Sequence, residues 1–204
     1  MGLFDYFKRR PPIRDAEALA DFIDSNAAFV VQKGIYEYAS ARAGHYAKVL
    51  FKDTGFIAAA EEARWRAYPL GLAMVAEVAD NVLHSDGRAD RADGLEQLNA
   101  LVLSVFDRYP VPPALGADTW RDMRAELDRN LKLIRMHPPK RAMDIPETYV
   151  KLYFDAMPIH EKLKKSDFHT MHNYLKVVLC NVHEALTKRI EPAAFAGGDL
   201  ATIG

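Results

Sequence analysis

The 204 residues carry 27 lysines and arginines against 28 aspartates and glutamates, and half are hydrophobic. That near-neutral balance announces no nucleic-acid surface, and a chain of this size buries roughly 70% of its unfolded surface as one domain. A single cysteine, Cys180, excludes an internal disulfide framework and fits a reducing compartment.

No apolar run reaches the roughly 18 residues of a membrane span, and no signal peptide is evident, so a cytoplasmic protein is expected. Cys180 follows Leu179 and precedes Val182, and reads as a packing residue. The expected organisation is a short segment over 1–12, an all-α domain over 13–191 and a loose Gly-rich tail over 192–204.

Residues Gly2 to Arg10 are closed off by Pro11-Pro12. On a helical wheel Leu3, Phe4, Tyr6 and Phe7 share one side, Asp5 lies opposite, and Lys8, Arg9 and Arg10 follow, a composition suited to an anionic membrane surface. The stretch resembles the short amphipathic starts of some bacterial membrane-targeted proteins, such as the division-site factor MinE. The resemblance covers these few residues only and implies reversible contact with the inner membrane face. The alternative is that Phe4 and Phe7 tuck back onto the domain or onto a second copy.

Asp15 is a candidate N-cap for a first helix, and Gly34 and Gly44 mark breaks or close helix contacts within it. The segment Phe29 to Tyr46 is rich in polar-tipped rings (Tyr36, Tyr38, His45, Tyr46). It reads as ordinary packing or as the wall of a hydrophobic-ligand cavity. Lys52 to Gly55 is turn chemistry before a helix from Phe56 to Arg66, and Pro69 either starts a new helix, which runs to His84, or kinks the old one.

In that helix Leu72, Met74, Val75, Val78, Val82 and Leu83 form a wide apolar arc. The remaining strip carries Glu77, Asp80, Asn81 and His84 on one face, either a solvent face or the side chains of a polar site. The following acidic stretch fails as a calcium loop, because Arg91 stands where glycine is required and Gln97 where glutamate is expected. It leads into a helix from Leu95 to Tyr109.

A proline-rich loop precedes a helix over Asp118 to Arg135. Arg129, Lys132, Arg135, Lys140 and Arg141 follow one another without an intervening acid, a candidate anion-binding patch or a solvated helix end. One or two short helices fill Ile145 to Lys165. The last long run, Ser166 to Ile190, has Ser166 as a candidate N-cap. Its apolar stripe of Phe168, Met171, Leu175, Val178, Leu179, Val182 and Leu186 makes it the expected spine of the domain.

The motif search removes several chemistries. Neither phosphate-loop pattern occurs, no nucleophile elbow is present, and both His-Glu pairs fail the zinc-protease spacing. No Glu-x-x-His occurs, which removes the di-iron bundle. His169 and His172 remain as a pair that, with Glu77, Asp80 and His84, supplies the donor types for a divalent metal. His183 lies about 16 Å further along the same helix and cannot share that ion.

The fold expected is an irregular all-α bundle of six to eight helices. The leading functional expectation is a non-catalytic adaptor or regulatory protein, with a homodimer, a protein partner or the inner membrane surface as its company. The alternatives are a metal- or ligand-binding protein or enzyme built on the polar strip, and a hydrophobic-ligand carrier.

Overall fold

The computed structural model describes residues 11–84, 91–158, 167–191 and 194–195. Their order is α1 (Ala16–Ala43), a 3-10 turn (Gly44–Tyr46), the short α2 (Ala47–Leu50), α3 (Thr54–His84), α4 (Arg91–Asp107), α5 (Ala117–Ile134), α6 (Pro146–Asp155) and α7 (Phe168–Thr187). Extended pairing among the described residues is limited to one isolated bridge between Ile13 and Ile190, which ties the start of the domain to the end of α7. The all-α bundle read from the sequence is the fold.

Helix starts follow local chemistry. Asp15 caps α1, its Oδ1 accepting from the Ala18 amide at 2.8 Å. Asp53 does the same for α3, accepting from the Phe56 amide at 2.7 Å. α1 ends at Gly44, whose φ of 53° is in the left-handed region that favours glycine.

Gly34, by contrast, sits inside α1 without breaking it. The hydroxyls of Tyr153 and Tyr174 donate to the Val30 carbonyl at 2.9 and 3.0 Å. A Cβ on Gly34 would stand 2.2 Å from the Tyr153 hydroxyl oxygen. Of the two readings of Gly34, close contact is the one realised.

Of the two readings of Pro69, the continuous helix is the one realised: α3 is one helix with Pro69 inside it. Every residue from Ala67 to Asp80 is buried, and this enclosure outweighs the one backbone bond that proline removes. The expected spine, Ser166 to Ile190, is a wall of the bundle. α7 packs on α1, α3 and α6, whereas α3 meets α1, α4, α5, α6 and α7 and so forms the axis.

The α7 stripe from Met171 to Leu186 is buried as expected, and Ser166 lies outside the described residues. Cys180, one position and about 100° round from Leu179, faces outward instead of packing. Gly71 lets the axis approach α1: a Cβ there would lie 2.9 Å from the Ala27 carbonyl oxygen. Among the described residues no helix is long and apolar enough to cross a membrane.

Candidate functional site

A helix enclosed on all sides must be apolar all round or meet each polar side chain with a partner, because an unpaired buried charge is strongly destabilising. The α3 strip is enclosed. Glu77 and Asp80 are 2% and 1% exposed, so the strip is not a solvent face. Its four members are met from α4, α6, α7 and the loop before α6.

Glu77 Oε1 accepts from the Tyr149 hydroxyl of α6 at 2.7 Å, and its Oε2 lies 3.2 Å from Lys140 Nζ. Lys140 also donates to Thr148 Oγ1 at 3.0 Å. Burial together with the Glu77 charge pushes the Tyr149 hydroxyl far above its ordinary pKa, so it stays a donor.

Asp80 is the most densely bonded group. His84 Nδ1 lies 2.9 Å from its Oδ1, Arg91 Nε donates to Oδ1 at 3.1 Å, and Arg91 Nη2 donates to Oδ2 at 2.8 Å. Burial pushes the Asp80 carboxyl up, but the hydrogen bonds from His84 and Arg91 and the Arg91 charge outweigh it, and the carboxyl is held below its ordinary range.

Arg91 then reaches past Asp80. Its Nη1 donates to the His137 carbonyl at 2.8 Å and its Nη2 to the Ile134 carbonyl at 3.2 Å. Those oxygens lie at the end of α5, where a cation is favoured by the helix dipole. One guanidinium at the start of α4 therefore fastens α3, α4 and α5.

The rest of His84 is closed off. A Cβ on Gly94 of α4 would lie 2.4 Å from His84 Nε2, so the imidazole rests against the backbone of the next helix. Asn81 Oδ1 lies 3.0 Å from His183 Nε2 of α7. Arg91, Gly94, Lys140, Tyr149 and His183 are thus the partners that complete the strip.

The five residues proposed as metal ligands do not converge. His172 Nε2 pairs with Glu147 Oε1 at 3.0 Å, beside Lys176, whose Nζ is 3.3 Å from the same oxygen. His169 is exposed. The histidine of α7 that meets the α3 strip is His183, the one set apart by spacing. Among the described residues no group of three or more His, Cys, Asp or Glu is placed to hold a metal ion.

The basic run is largely neutralised where it stands. Arg129 pairs with Glu126, Lys132 with Asp128 at 2.6 Å, Arg141 with Asp144 at 2.7 Å, and Lys140 turns inward to Glu77. Arg135 is exposed. The aromatic segment divides: Tyr38 is buried and bonded to Asp167, which also pairs with Arg42, while Phe29, Tyr36 and Tyr46 face solvent. The segment Leu3 to Arg10 lies outside the described residues. Comparison of the chain with family models, with curated proteins and with solved structures finds no match in any of the three.

Proposed function

We propose that the chain is a non-catalytic helical adaptor or regulatory protein that visits an anionic membrane surface through Leu3, Phe4, Phe7 and the basic residues Lys8, Arg9 and Arg10. The observation that carries the non-catalytic half is the closure of the α3 strip. A general base needs a free nitrogen or oxygen aimed at a substrate. His84 instead has one nitrogen on Asp80 and the other against Gly94. Glu77 and Asp80 are held by Tyr149, Lys140 and Arg91.

A metal-dependent or pocket-based function has less support, because its five candidate ligands do not share one site. Glu77 meets Tyr149 and Lys140, Asp80 and His84 meet each other and Arg91, His172 meets Glu147, and His169 is exposed. A lipid-carrier function has less again, since three of the rings meant to line its cavity face outward.

The membrane half rests on the amphipathic composition of the first ten residues. A helix that short is marginal alone, so its contact is reversible, and a homodimer would strengthen it by presenting two copies. Co-sedimentation with vesicles containing anionic lipid tests the proposal. Deleting residues 2–10 should weaken binding on the order of a hundredfold, the scale of three basic residues at about 1 kcal/mol each. An intact chain that stays in the supernatant, or a deletion that leaves binding unchanged, contradicts it.

A further inference from the structure

The connection between α1 and α3 sets exposed apolar side chains beside lysines. It projects Tyr46, 76% exposed, and Val49, 66% exposed, into solvent, with Ile57 of α3 also exposed. Behind them Tyr36, Phe51 and Phe56 form a ring-to-ring base, with centroids 5.5 and 5.6 Å apart. Along α1 the exposed Phe29 and Tyr36 fall on one face, seven residues apart, and Lys33 Nζ lies 5.2 Å from the Phe29 ring centroid.

Lys48 and Lys52 stand on the same connection, and neither pairs with a carboxylate among the described residues. Together with Val49 and Asp53 they line a surface depression of about 340 Å³. Asp53 is already engaged as the cap of α3.

We infer that this α1–α3 tip is a second contact for an anionic lipid surface, with Tyr46 and Val49 entering the interface and Lys48 and Lys52 holding a lipid phosphate. Charge decides the occupant. Exposed Leu133 of α5 and Met136 just beyond it stand beside Arg129 and Lys132, which carboxylates already meet, and a single exposed arginine, Arg135, whereas the tip sets two lysines without a described carboxylate partner beside its apolar side chains. Apolar side chains flanked by lysines and a polar-tipped ring are the composition that settles at the headgroup boundary.

The inference rests on the membrane-visiting role proposed above and deepens it, because a short amphipathic segment needs a second signal for more than fleeting attachment. α1 is about 42 Å long at 1.5 Å per residue, so the tip and Pro11 lie at opposite ends of the helix. Engaging both would lay α1 along the membrane.

The test uses the full chain with Cys180→Ser and an environment-sensitive fluorophore on a single introduced cysteine, Val49→Cys at the tip, Leu3→Cys at the start, or Val177→Cys on the outer side of α7. With anionic vesicles, position 49 should shift to the blue and brighten while position 177 does not, and zwitterionic vesicles should leave both unchanged. In the Val49→Cys protein, Lys48→Glu with Lys52→Glu should weaken vesicle binding on the order of tenfold.

A response at position 3 with none at 49 overturns the tip and leaves the first proposal standing. A response at 49 alone does the reverse, and silence at both overturns both. A shift at 49 that grows with protein concentration in the absence of vesicles, or an equal shift at 177, also overturns the tip, the former by assigning it to a second copy.

Discussion

From Ala67 to His84, α3 carries charged and polar side chains into the interior and meets them with partners from α4, α6, α7 and the loop before α6. At its other end, from Ile57 back to Gly44, the chain does the reverse. There Tyr46, Val49 and Ile57 stand in solvent beside lysines that no described carboxylate meets. Burying a carboxylate is costly unless it is paired, so the ion pairs and hydrogen bonds of the first arrangement fix where five elements sit. Exposing large apolar side chains gains the fold nothing, so the second arrangement has the character of a contact surface.

The contrast can be broken from the inside first. Asp80→Ala leaves Arg91 and His84 without their carboxylate and should lower unfolding stability by roughly 3–5 kcal/mol, read from urea midpoints at neutral pH. A loss under about 1 kcal/mol would mean that water replaces the pair and that the strip fastens little.

The same carboxylate sets a pH dependence. Its folded pKa is depressed, so its contribution is fully present above the unfolded value of about 3.9 and is lost as pH falls through the folded value. The wild-type midpoint should therefore drop below about pH 4, and Asp80→Asn should lack that component of the fall.

Next in size is Gly34→Ala. Alanine ordinarily stabilises a helix interior by about 1 kcal/mol over glycine. Here its methyl meets the Tyr153 hydroxyl, and a net loss of roughly 1–3 kcal/mol is expected. Adding Tyr153→Phe removes the clashing oxygen and should recover part of that loss in thermal melts. The smallest effect belongs to the exposed pairs: Lys132→Ala should change stability by no more than about 0.5 kcal/mol, and a larger loss would assign the α5 surface a structural role.

Much of the fold was legible in the sequence because helix periodicity and caps are local. Asp15, the stripe from Met171 to Leu186 and the span of α5 needed only neighbours along the chain. The axis was misplaced because hydrophobicity all round a helix looks like a wide arc, and a stripe as clear as that of α7 marks a helix with one side in solvent.

Glu77, Asp80, Asn81 and His84 were correctly grouped on one face, but their partners were not. Arg91 is eleven residues beyond Asp80 and Tyr149 seventy-two beyond Glu77, and no local pattern links them. Gly94 offered a signal, as a glycine early in a helix that has reason to avoid one. The lysines of the tip were unremarkable in sequence, since only packing separates a paired lysine from an uncompensated one.

Native mass spectrometry of the gently purified full chain, compared with a Glu77→Gln, Asp80→Asn double variant, tests the central claim most directly: that the buried strip joins helices and binds no ligand. The account predicts the mass of the polypeptide or an integer multiple of it for the wild type, with no stoichiometric addition for the double variant to lose. A metal ion or small molecule retained at one per chain, and lost in the double variant while its circular dichroism stays helical, would contradict it.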